Sequence, residues 1–101
     1  MPPSRRALGP TEVVTRLATL VGWQLTGSGP EVAIEKTFRF GNYHETIAFV
    51  NAVAFIAHRM DHHPDLSVHH GHCVVRFSTH SAKAITEVDF ESASRVDALL
   101  T

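Results

Sequence analysis

This chain has little with which to cross-link itself or to gather charge of one sign. It holds one cysteine, Cys73, so no disulfide can form within it, and that usage suits a reducing compartment. Nine Lys and Arg against ten Asp and Glu leave a formal charge of −1, with no dense basic run. Phosphate binding depends on clustered Lys and Arg, so nucleic acid is not expected as a direct partner. No apolar run approaches the roughly 18 to 20 residues that span a bilayer, so no membrane partner is expected either. Arg5-Arg6 could open a twin-arginine signal, but Pro10, Glu12 and Arg16 interrupt the apolar stretch such a signal needs. A cytoplasmic location is therefore the default expectation. Histidine is the exception to this scarcity. There are eight, as many as Phe, Trp and Tyr together, and five of them lie between His62 and His72. An unperturbed imidazole titrates at about pH 6.5, so the chain can change charge considerably between about pH 5 and 8.

With 101 residues, 44% of them hydrophobic, there is enough for one core and too little for two. Residues 1–9 read as a flexible tail and residues 10–101 as a single domain. Pro10-Thr11 opens a helix, with Thr11 placed to cap and Glu12 in the first turn. Val13 or Val14, Leu17, Leu20 and Val21 repeat at helical spacing, and Gly22 supplies a stop. Trp23 and Leu25 alternate as a short strand, and residues 26–30 are turn chemistry. From Val32 the period is two. Val32, Ile34, Phe38 and Phe40 share one face while Glu35, Thr37 and Arg39 take the other, as in a strand with one covered side.

Asn42 can cap a helix with Glu45 at its third position. The helix expected over residues 43–61 carries a broad apolar stripe, including Ile47, Phe49, Val50, Val53 and Ala57, and Pro64 ends it. His70-Gly71 reads as a two-residue hairpin loop with glycine in the left-handed position. Pairing outward sets Val68 against Cys73 and Leu66 against Val75. Thr86-Glu87-Val88-Asp89 resembles a capping box, opening a helix with Val88 or Phe90, Ala93, Val96 and Leu100 inward. The order is α-β-β-α-β-β-α, an α+β fold.

His58 and His62 are four apart and share a face of the second helix. His62-His63 sit at its C-terminus, where the macrodipole favours imidazolium. His80 comes after the last strand, and a helix end and a strand end can converge on one cleft. Three readings compete: surface or capping histidines; a zinc site built from His58, His62 and His80; and acid–base catalysis by imidazoles. His69 and His72 fit the first, as a cross-strand pair. No carboxylate-His or Cys-His motif of usual metal spacing supports the second, so no metal is expected.

The run His58-x3-His62-His63-Pro64-x15-His80-x8-Asp89 resembles the signature of the pterin-4a-carbinolamine dehydratases. Gly22-Trp23, Ile34-x-Lys36-x-Phe38-x-Phe40, Asp61-His62-His63-Pro64, Ser78-Thr79-His80 and Thr86-Glu87-x-Asp89 extend the likeness over about residues 8–100. The resemblance implies a four-stranded antiparallel sheet with three helices on one face. It implies loss of water from 4a-hydroxytetrahydropterin to give quinonoid dihydropterin, with pterin as substrate and no cofactor. By position, His62 and His80 match the acid–base pair and His63 the substrate-positioning histidine. Asp61, Ser78 and Thr79 match pocket-lining positions, and Asp89 could orient one histidine. The family usually has Glu at position 58 and an aromatic at position 70, where this chain has His58 and His70. Losing that carboxylate predicts a lower pH optimum or slower turnover. The resemblance further implies a homodimer or homotetramer and a functional link to an aromatic amino-acid hydroxylase. A non-catalytic dimerisation or assembly module on the same fold is the alternative.

Overall fold

Alternation along the strands decides which face of the sheet is dry. The structure, a computed structural model, describes residues 2–101. Four strands, β1 (Gln24–Thr26), β2 (Ala33–Arg39), β3 (Asp65–Val68) and β4 (His72–Phe77), form one antiparallel sheet in the order β1-β2-β4-β3. Ile34 and Phe38 of β2 and Cys73, Val75 and Phe77 of β4 point to one side and are buried. On the other side Glu35 and Arg76, paired across the strands, hold a 2.7 Å ion pair that remains open to water. Cross-strand charge pairs at such positions contribute little net stability but fix the register.

Three helices cover the apolar side: α1 (Pro10–Leu17), α2 (Tyr43–Met60) and α3 (Glu87–Ala98). Thr46, Phe49, Val53 and Ala57 of α2, spaced by three or four, are buried, as are Val88, Phe90, Ala93 and Val96 of α3. Trp23, Phe38, Phe49 and Phe40 form an aromatic run through this layer, with ring centroids 4.7–6.1 Å apart. The element order and the α+β architecture are those expected from the sequence. Burial also pushes the Cys73 thiol up, since a thiolate there would lie within the core.

Several local expectations are corrected. The cap of α1 is Gly9, with Pro10 as first helical residue, so Thr11 sits inside the helix rather than before it. That helix ends at Leu17, short of Gly22, and Val14 and Val21 are exposed. Gly71 has no positive φ; the hairpin closes through the backbone bond from His69 N to His72 O instead. Its pairing, Val68 with Cys73 and Leu66 with Val75, is as expected. Leu100 lies beyond α3 and is exposed.

Two further corrections shape the site. Pro64 does not end α2. Asp61 does, in the left-handed conformation (φ 50°, ψ 45°), with His62 N donating to Ala57 O and Asp61 N to His58 O. This is a Schellman turn, in which aspartate tolerates the conformation glycine normally supplies. Met1 lies outside the described residues. The rest of the expected tail runs against the domain: Val88 N donates to Ser4 O, Leu8 N to Ile85 O, and Ala7 bridges Thr86.

Candidate active site

The turn at Asp61 reverses the chain and carries His62 out of the helical register. His58 and His62 therefore do not share a helix face: His58 is exposed while His62 is buried at 7% exposure. The His62 ring lies over Phe77 of β4, nearly parallel at 14° with centroids 5.9 Å apart. Its Nε2 lies 2.5 Å from Asp89 Oδ1, and Asp89 is fully buried. A carboxylate can survive there only because its oxygens are hydrogen-bonded. Asp89 Oδ2 accepts from Thr79 Oγ1 at 2.8 Å and from the Thr86 backbone N–H at 2.9 Å. The two threonine hydroxyls are 2.7 Å apart. With the Thr79 proton committed to Asp89, Thr86 donates to Thr79.

Sequence logic and site coincide at Asp89. As third residue of α3 it reaches back to the backbone N–H of its cap Thr86, as the capping pattern predicts. The carboxylate's other oxygen is thereby aimed at His62. Capping and histidine orientation are thus done by one side chain.

Of the residues marked in the sequence, His62, Asp89 and Thr79 are brought into one hydrogen-bonded run. His63 and His80 are its chain neighbours, next after His62 and Thr79, and both are exposed. Asp61 serves the turn, with its carbonyl accepting from Arg5, and Ser78 Oγ donates to Val32 O at 2.8 Å. Thr79, expected to line a pocket, instead spends its hydroxyl on Asp89. His58 makes no hydrogen bond to this network, and among the described residues no three His, Cys, Asp or Glu side chains gather as metal ligands would.

The reading of the sequence missed Arg5. Its Nη2 donates to Asp61 O at 2.8 Å and Met60 O at 3.2 Å, and its Nη1 lies 3.3 Å from His62 Nδ1. The cation that meets the carbonyl end of α2 is this arginine, rather than an imidazolium as expected. Arg5 carries no sequence signal, because it reaches the site from 55 to 57 residues away along the chain. Thr86 was legible as a cap, but its hydroxyl's place behind Thr79 was not.

A four-stranded α+β domain with a buried histidine–aspartate pair at the end of its long helix narrows the class, and comparison with known proteins completes it. A family model described as pterin 4 alpha carbinolamine dehydratase matches residues 6–99. A protein of Paracidovorax citrulli named "Putative pterin-4-alpha-carbinolamine dehydratase" is 67% identical over 97 residues, covering 96% of this chain and 84% of its own. The chain belongs to the pterin carbinolamine dehydratase family. Among solved structures, a transcriptional coactivator/pterin dehydratase from Brucella melitensis superposes with a TM-score of 0.87 at 28% identity, covering 95% of this chain and all of that one. A pterin dehydratase-like protein described as a RuBisCO assembly factor in the alpha-carboxysome gives 0.66 at 26% identity, over 77% of this chain and 88% of its own. Among the described residues, no helix is long and apolar enough to cross a membrane.

Proposed function

We propose that this protein dehydrates 4a-hydroxytetrahydropterin to quinonoid dihydropterin by histidine acid–base catalysis, as a step in recycling the pterin. The observation that carries this reading is the buried run His62–Asp89–Thr79, which ties the His62-His63 segment to the segment carrying His80. A purely structural histidine needs no fully buried carboxylate on its outer nitrogen; a proton-transfer group does, to fix its orientation.

In this reaction the C4a–O bond breaks and its electrons leave with the oxygen, which takes a proton from an imidazolium and departs as water. The N5–H proton passes to a neutral imidazole, and the N5–H electrons form the C4a=N5 bond. His62 and His80 are the pair, His63 positions the pterin, and Asp61 and Ser78 border the substrate through the turn and the strand end. Asp89 orients His62, with Thr79 holding Asp89. No metal or nucleophile is needed, and pterin is the substrate rather than a bound cofactor. We place the protein in the cytoplasm as a homodimer or homotetramer, serving an aromatic amino-acid hydroxylase.

The RuBisCO assembly relative favours a second reading, a non-catalytic assembly module on the same fold. The dehydration rate of 4a-hydroxytetrahydropterin separates them. The wild type should accelerate it over buffer, and His62→Ala and His80→Ala should each lower the rate by about 10²- to 10⁴-fold, the usual range for general acid–base groups. A chelator should leave the rate unchanged. A wild type no faster than buffer would favour the assembly module.

A further inference from the structure

We propose that Arg5 is a positioning residue for His62, holding its Nδ1 free of a proton so that His62 acts as the proton acceptor of the pair. The inference rests on the catalytic reading above, but its first observation does not. A guanidinium has only hydrogens to offer, so the Arg5 Nη1 contact at 3.3 Å requires a lone pair on Nδ1. The Nε2 of His62 then carries the ring's proton, toward Asp89 Oδ1. Proton uptake at Nδ1 and the Arg5 contact exclude one another. Asp89 on its own would favour a doubly protonated ring, and Arg5 on the opposite nitrogen opposes it.

The arginine is set in place rather than adrift. Its Nη2 is fixed on two carbonyls at the end of α2, where a cation is electrostatically favoured. Its segment is held on the start of α3 through the Ser4–Val88 and Ala7–Thr86 backbone contacts. The charged groups in contact with the His62 ring are Arg5 from the amino-terminal segment and Asp89 from α3. Asp61 and His63 adjoin it in the chain, His58 lies in the last turn of α2, and His80 comes directly after Thr79. Both ring nitrogens are thus occupied, and Asp89 is buried beyond reach. Nδ1 is the nitrogen a substrate can approach, with its N5–H replacing Nη1 as donor while Nη2 stays on the carbonyls. His62 therefore accepts the N5 proton and His80 supplies the proton for water.

Nitrogen-15 NMR of the histidine rings in the full chain tests this, comparing wild type, Arg5→Ala, Arg5→Lys and, as a control on the neighbouring exposed arginine, Arg6→Ala. In the wild type the His62 ring should show a bare Nδ1 and a protonated Nε2 at neutral pH. In Arg5→Ala, proton uptake at Nδ1 should move to higher pH by about one unit or more, the size expected for removing an adjacent like charge. Lysine should restore part of that shift, and Arg6→Ala none. The acid limb of the dehydration pH–rate profile should move in parallel in Arg5→Ala, with the alkaline plateau kept. An unmoved His62 titration in Arg5→Ala, beside a catalytically active wild type, overturns the role of Arg5 and leaves the catalytic reading standing. A shifted titration in a protein that never accelerates dehydration sinks the catalytic reading and its assignment of His62 as acceptor.

Discussion

Asparagine at position 89 would change one carboxylate oxygen into an amide nitrogen at a site with 0% exposure, where no water can compensate. The Thr79 hydroxyl and Thr86 N–H both donate to Oδ2, so the amide oxygen must take that side. The amide nitrogen then faces His62 Nε2 with hydrogens only. His62 can pair with it only by moving its proton to Nδ1, and Nδ1 lies 3.3 Å from Arg5 Nη1, a second donor. Asp89→Asn therefore loses a charge-assisted hydrogen bond to His62 and the Arg5 contact together. A charge-assisted bond is worth about 1.5–3 kcal/mol and its neutral replacement about 1, so the expected destabilisation is about 2 kcal/mol. In a domain of this size that lowers the melting temperature by about 8–16 °C. If His62 transfers the proton, turnover should fall by about 10²- to 10⁴-fold, because the wrong nitrogen is now protonated. Thermal melts and dehydration kinetics give the two numbers separately. A double-mutant cycle isolates the cause: Arg5→Ala should cost at least about 0.5 kcal/mol less in the Asp89→Asn background than in wild type, since the contact is already broken. Additive effects, or an Asp89→Asn protein as stable and active as wild type, would refute the chain of reasoning from Asp89 through His62 to Arg5.

Two other predictions concern histidines at the edge of this network. His58→Glu should raise the pH optimum, as expected for a restored carboxylate, but by less than about 0.7 unit, because an exposed charge more than 4 Å away in water contributes under about 1 kcal/mol. A pH–rate profile with unchanged apparent pKa values would sink that direction. Desolvation, then the neighbouring charges of His69 and Arg39, hold the His72 imidazole below its ordinary 6.5. Its ring stacks on that of His69 at 4.2 Å, a contact suited to a neutral pair. A depressed folded value contributes stability above pH 6.5 that is lost as pH falls through that value. His72→Gln should therefore narrow the difference in melting temperature between pH 7.5 and pH 5; an undiminished difference would place the acid sensitivity elsewhere.

The apolar periodicity of β2, β4 and α3 was readable because burial repeats every two residues in a strand and every three or four in a helix. Asn42 was readable for a similar reason: a cap acts within one turn, and its Oδ1 accepts from Glu45 N at 2.8 Å. The end of α2 was not. Pro64 is a strong local signal, yet the Schellman bonds from His62 and Asp61 close the helix three residues earlier, through an aspartate that no propensity marks. That shift separates His58 from His62, which a continued helix would have stacked together.

The poverty of the chain in cysteine and in excess charge excluded a disulfide framework and a basic patch from composition alone. Sequence by itself also determined the element order, the dry face of the sheet, the hairpin register and the pairing of Thr86 with Asp89, because each depends on residues a few positions apart. Only the tertiary structure decided that His62 is the buried histidine and His58 the exposed one, that Thr79 supports Asp89, and that Arg5 meets Nδ1. Those contacts join residues 10 to 57 positions apart, and the free energy that sets them lies in burying one carboxylate with every donor it requires.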